Sequence, residues 1–136
     1  MSFLIDTCVL SELTRSEPHV SVARWLKETR EESQFTSVLS LGEIAFGILS
    51  LPPGRRKTSL ENWQAGILRP SLGERVLPFD EAAAQKWALL RARHRAAPVL
   101  DSQIAAIALV HGLTLVTRNV KDFAFAGLSV FNPWDK

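Results

Sequence analysis

Phe3-Leu4-Ile5-Asp6-Thr7-Cys8-Val9-Leu10-Ser11-Glu12-Leu13 is the stretch on which the fold turns. Phe3-Leu4-Ile5 is a short apolar run that stops at the polar pair Asp6-Thr7, and Val9, Leu10 and Leu13 then return at helical spacing. The stretch reads as strand, polar turn, helix. A carboxylate at the end of an apolar strand is either a helix cap or part of a site.

Working outward, the chain repeats this alternation. Val22, Trp25, Leu26 and Thr29 form a helical stripe after Pro18, a residue suited to a helix start. Gln34 to Val38 predicts a short strand, and Ser40 to Ser50 a buried helix stopped by Pro52-Pro53-Gly54. Leu60 to Leu68 keeps helical spacing until Pro70. Val76-Leu77-Pro78-Phe79 predicts an extended connector into a helix capped by Asp80, with Arg91, His94 and Arg95 on one face near its end. Pro98 interrupts, and Asp101 to Val110 predicts a strongly apolar helix closed by Gly112. His111 suits the C-terminal end of that helix. Thr114 to Thr117 and Leu128 to Phe131 predict two further strands. Strands alternating with helices point to an α/β sandwich on a mostly parallel sheet.

The 136 residues are 46% hydrophobic and 22% charged, which suits a single domain over 1–136 with a real core. The longest apolar run, Ile104 to Val110, falls far short of the roughly 20 residues that span a bilayer, and no basic leader is evident. The expectation is a cytoplasmic protein without membrane attachment. A lone cysteine, Cys8, flanked by apolar residues, fits a small buried side chain in a reducing compartment. The net charge of +2 is too mild to indicate a nucleic-acid partner by itself.

Four of the 14 acidic residues lie outside the polar stretches: Asp6, Glu43, Asp101 and Asp122. Singly, each has an ordinary role. Asp6 and Asp101 suit N-caps, Glu43 suits a capping box with Ser40, and Asp122 suits a turn. Jointly, these positions can converge at the carboxyl ends of parallel strands, where open α/β sheets bind ligands. Four carboxylates meeting in a partly desolvated site require protonation or a cation. Oxygen-only donors suit Mg²⁺, with Mn²⁺ possible, whereas His19, His94 and His111 form no zinc motif.

The opening stretch, together with Ser37-Val38-Leu39-Ser40-Leu41-Gly42-Glu43, Leu100-Asp101-Ser102-Gln103-Ile104-Ala105-Ala106 and Thr117-Arg118-Asn119-Val120-Lys121-Asp122-Phe123, resembles the ordered acidic motifs of PIN domains. With Phe131-Asn132-Pro133-Trp134 the resemblance spans nearly the whole chain, and its compact size is similar to the VapC branch, the ribonuclease toxins of type II toxin-antitoxin pairs. The resemblance implies a three-layer α/β/α sandwich with a four- to five-stranded, mostly parallel sheet. It implies Asp6, Glu43, Asp101 and Asp122 as catalytic and metal-binding acids, with Asp6 and Asp101 the foremost direct ligands, and Thr7, Thr117 and Asn119 as supporting polar groups. It also implies an RNA substrate, a small VapB-like antitoxin that wraps an apolar groove, and a homodimer. Cys8 is a departure, standing where many members carry Asn.

Setting aside the four acids leaves 16 basic residues against 10 acidic, a balance of +6 suited to an anionic substrate. Arg118, Arg91 and Arg95 are the candidate RNA contacts, with His94 beside them and Arg55-Arg56-Lys57 as a further basic run; a solvated surface explains each cluster equally well. Trp25, Trp63 and Trp87 fall on helical apolar stripes, so they and Trp134 read as core or interface more than as a base-stacking platform. A haloacid-dehalogenase phosphatase needs a second Asp where Cys8 stands, and a receiver domain needs an acidic pair at the first strand that is missing. The remaining alternative is a catalytically silent PIN-like module that binds RNA or protein.

Overall fold

The computed structural model describes residues 1–135, and its frame is a five-stranded parallel sheet. Strands β1 (Phe3–Ile5), β2 (Gln34–Ser37), β3 (Val76–Leu77), β4 (Thr114–Val116) and β5 (Val130–Phe131) lie in the order β3-β2-β1-β4-β5. Every pairing is parallel, with Leu4 facing Phe35 on one side and Leu115 on the other. The extended connector predicted at 76–79 is thus an edge strand, short because Pro78 has no N–H to continue the ladder.

The period of two along the central strands sends alternate side chains to opposite faces. Leu4 and Leu115 join one core with Ile104, Ala105 and Ile107, while Ile5 and Val116 join a second with Val9, Val22 and Ile44. The first core is covered by α6 (Glu81–Arg93) and α7 (Val99–His111). The second is covered by α1 (Thr7–Glu12), α2 (Val20–Glu28), α3 (Val38–Leu49), α4 (Arg55–Trp63) and α5 (Arg69–Leu72). The result is the three-layer α/β/α architecture, with five strands. Among the described residues no helix is long and apolar enough to cross a membrane.

Several local expectations need correction. Helix α3 starts at Val38 because Ser37, whose Oγ accepts the Ser40 N–H at 3.0 Å, is the cap; Ser40 and Glu43 form no capping box. Pro70 does not end its helix. A π-helical turn over Gln64–Leu68 joins α4 to α5, so the ring, which can neither donate nor tolerate regular i−4 geometry, sits at the start of α5. Pro98 caps α7 rather than merely interrupting, which moves Asp101 from the helix start into its first turn. Helix α6 ends at Arg93, and His94 leaves helical geometry at φ −129° and ψ 63°. Arg91, His94 and Arg95 therefore do not share a helix face. Asp80 and Gly112 behave as expected: Asp80 accepts the Ala83 N–H at 3.0 Å, and Gly112 takes the left-handed φ of 64° that ends α7.

Trp25, Trp63 and Trp87 pack as the apolar stripes imply. Trp25 meets Phe3 edge-on with centroids 5.0 Å apart, Trp63 lies against the second core, and Trp87 donates its indole N–H to Ser102 Oγ at 3.0 Å.

Candidate active site

The strand order reverses direction at β1, which is followed in sequence by β2 on one side but flanked by β4 on the other. A crevice opens at the carboxyl ends where such a reversal occurs. Asp6 ends β1 and Thr117 follows β4 at this point. The Asp6 N–H donates to Val116 O at 2.9 Å, continuing the β1–β4 ladder into the site.

Asp6 occupies the N-cap position of α1 but makes no side-chain cap. Its Oδ2 instead accepts the Thr117 hydroxyl at 2.8 Å, with the Cys8 thiol at 3.7 Å. Asp6 is only 5% exposed, and burial pushes its carboxyl above the usual range, an effect moderated by hydrogen bonds from Thr117, the Thr7 backbone and Cys8. Thr117, wholly buried, also accepts the Asn119 N–H at 3.1 Å. Asn119 joins this network through its backbone; its side chain makes no cap on the 3₁₀ turn Val120–Phe123 that follows.

Cys8 does more than fill space. It is half-buried, its sulfur lies 3.6 Å from Thr117 Oγ1, and it accepts the Arg118 N–H at 3.5 Å. Burial and the Asp6 charge push the thiol up, so it stays protonated and is a weak nucleophile. Its role was not visible from its apolar neighbours. The signal was its place two residues after a buried aspartate.

On the other side, Thr7 donates its hydroxyl to Glu43 Oε1 at 2.6 Å, which ties the start of α1 to α3. Asp101 is half-buried in the first turn of α7. Its carboxyl is pushed up to about 6, first by burial and then by the charges of Asp6, Asp122 and Glu43. All four acids therefore share one electrostatic neighbourhood. Among the described residues no group of three or more His, Cys, Asp or Glu side chains is placed to hold a metal ion. The four carboxylates form a loose ring, near enough for Asp6, Asp122 and Glu43 to act on the charge of Asp101 but not a preassembled ligand set. Asp122 is its exposed member, on the 3₁₀ turn.

The candidate basic residues separate. Arg118 is exposed beside the site, with its guanidinium 5.2 Å above the Trp134 ring, a cation–π contact that restrains it. Arg91 donates to the carbonyls of Arg95 and Ala97 at 2.6 and 2.7 Å, so its charge fastens the loop after α6 instead of facing solvent freely. Arg95 projects from that loop, which shares a groove with Asp122. Arg55 and Lys57 lie in the first turn of α4, while Arg56 lines a cleft of about 250 Å³ with Thr7, Glu43, Ile44, Ile48 and Trp63.

A PIN-domain family model matches residues 3–126. The chain belongs to the PIN-domain family. Over 136 residues this PIN domain is 36% identical to the VapC ribonuclease Y4jK of Sinorhizobium fredii, covering 97% of each chain. It is 34% identical over 135 residues to toxin FitB of Neisseria gonorrhoeae, covering 96% of this chain and 97% of that protein. The crystal structure of FitAcB from Neisseria gonorrhoeae superposes with a TM-score of 0.93 at 33% identity, covering 98% of this chain and 99% of the other.

Proposed function

We propose that this PIN domain is a metal-dependent endoribonuclease, the toxin of a toxin-antitoxin pair acting in the cytoplasm. The observation that carries the reading is that three carboxylates, Asp6, Asp122 and Glu43, act on a fourth, Asp101, at the sheet's switch point. Among relatives matched over nearly their full length, one named VapC ribonuclease supports the reaction class and one named toxin FitB the toxin role.

The donor chemistry fits a hard cation. The four acids offer carboxylate oxygens only, and burial followed by the charges of Asp6, Asp122 and Glu43 raises Asp101 to about 6, a cost that a bound cation would relieve; with no preassembled set of three ligands, Mg²⁺ here would keep several of its waters. Asp6, Glu43, Asp101 and Asp122 would hold Mg²⁺, or Mn²⁺, which when bound polarises the phosphodiester and acidifies water for in-line attack. Thr117 anchors Asp6 through the hydrogen bond to Oδ2. Thr7 holds Glu43 in place through Oε1; whichever of Glu43 and Asp122 is not taken up by the metal would position the attacking water. Arg118, restrained over Trp134, places a permanent positive charge where a strand phosphate passes.

The cleft beside Thr7 and Glu43, floored by Ile44, Ile48, Leu60 and Trp63, suits an apolar segment of a VapB-like antitoxin that reaches the acids. Homodimer formation accords with the exposed Phe46 and Leu49 on α3, 73% and 68% accessible in the isolated chain.

The deciding experiment is digestion of total cellular RNA by the purified protein in Mg²⁺, Mn²⁺ or EDTA, beside Asp6→Asn and Asp101→Asn. Discrete fragments formed only with metal, and lost in both variants at unchanged folding, are expected. No cleavage with any ion overturns the nuclease assignment and leaves the catalytically silent binding module; full activity in both variants overturns the metal site.

A further inference from the structure

A groove of about 370 Å³ adjoins the acid ring on the side of Asp122. One wall is the end of α6 and the loop after it, with Arg93, His94 and Arg95; the other is the 3₁₀ turn carrying Lys121 and Asp122, with Phe125 just beyond it. Arg93, Arg95 and Lys121 are exposed, and none forms an ion pair among the described residues. Three permanent positive charges thus line one path without an internal partner. A solvated surface does not require such a path to be preformed, yet this one is braced on both sides. Arg91 holds the loop through the carbonyls of Arg95 and Ala97, and the His94 ring meets Phe125 edge-on at 5.0 Å and 90°.

We propose that this groove is a binding site for the phosphodiester backbone of single-stranded RNA, taking the segment that flanks the bond at the acids. The inference rests on the nuclease reading and extends it to the path of the strand. The acid ring repels phosphates, so a strand drawn to it needs compensating charge close by, and Arg93, Arg95 and Lys121 provide it next to the ring's most exposed member. The contact is to the backbone and predicts little base preference. It also distinguishes Arg91, which braces the groove, from its neighbours, which face the ligand.

The test is equilibrium binding of fluorescein-labelled single-stranded RNA of random sequence, about 12 nucleotides long, across a KCl series with Mg²⁺ present. The full chain carries Asp101→Asn so that the strand is not cut. Combining Arg93→Ala, Arg95→Ala and Lys121→Ala should weaken binding about 10-fold or more and lower the salt slope by about 2, at about 0.7 per lost phosphate contact. The charge-keeping set Arg93→Lys, Arg95→Lys and Lys121→Arg should bind as the parent does, and all should share its melting temperature. Unchanged affinity and slope in the alanine set overturn the groove. Digestion of total RNA by the wild-type chain separates the two readings. Cleavage with a groove-independent affinity leaves the nuclease and removes the groove; groove-dependent binding without cleavage leaves the groove and removes the nuclease.

Discussion

The acid ring has a buried half and an exposed half, and the two are held by different means. Asp6 and Thr117 sit at the ends of the two central strands, 5% and 0% exposed, joined by a direct hydrogen bond and by the ladder from Asp6 N–H to Val116 O. Glu43, Asp101 and Asp122 come from α3, α7 and a 3₁₀ turn, and are half-buried or exposed. Moving the first pair requires distorting the sheet, whereas the second set can shift with its helices or through rotamer changes. The contrast assigns precision to the strand ends and adaptability to the helical side.

The sharpest test of that division is Thr117→Val, which keeps the volume and deletes the hydroxyl. Asp6 then loses its one oxygen-borne side-chain donor in a buried setting, and the Asn119 N–H loses its acceptor. A loss of about 10–100-fold in metal-dependent RNA cleavage is expected, the usual scale for groups that orient ligands. Urea unfolding should show destabilisation of about 1–3 kcal/mol from the unsatisfied buried groups. Thr117→Ser should restore both. A Val variant as active as wild type would show that the sheet alone positions Asp6.

The matching change on the helical side is Thr7→Val, which removes the 2.6 Å bond to Glu43. Both partners are half-buried, so water can replace the hydroxyl. Cleavage should fall by only about 2–5-fold, below the range for the deeper site, and stability should change by less than about 1 kcal/mol. Equal losses at Thr7 and Thr117, measured as kcat/KM on one RNA, would erase the distinction between the two halves.

Sequence legibility follows the same boundary. The run Phe3-Leu4-Ile5 before Asp6, the stripe Ile104 to Val110, and the punctuation by Asp80 and Gly112 are local patterns, and they specify the strands, helices and caps that form. The four acids stood out because each interrupts or ends an apolar segment. What could not be read depends on partners distant in sequence. Thr7 meets Glu43 across 36 positions and Thr117 meets Asp6 across 111, and no local signal announces either pair. Cys8 had a local signal, its place two residues after Asp6, but its contacts with Thr117 and Arg118 lie 109 and 110 positions away. That Arg91 fastens the loop after α6 was not legible either, because that loop forms only once α6 has ended. Pro70 read as a helix stop because a π-helical turn is set by packing rather than by residue spacing.

The smallest expected effect concerns the metal-free ring and its response to pH. Burial, followed by the charges of Asp6, Asp122 and Glu43, lifts Asp101 from 3.8 to about 6. Over that interval the folded chain binds a proton more readily than the unfolded chain, so stability falls as pH rises from about 4 to about 6 and then levels off for this group. Asp6, also raised by burial, acts in the same direction, whereas Glu32, lowered beside Arg30, acts in the opposite one at a solvent-screened surface. The difference between wild type and Asp101→Asn isolates the Asp101 part. In EDTA the wild-type melting temperature should drop across the interval by about 2–4 °C more than that of the variant, a modest figure because Asp101 is only half-buried. Mg²⁺ should offset the drop near neutral pH, where the ring is ionised, and have less effect near pH 5, where protons compete for the same oxygens. Parallel melting curves for wild type and Asp101→Asn would show that the three neighbouring carboxylates are screened from Asp101 in solution, and the exposed half of the ring would then be a looser assembly than its geometry implies.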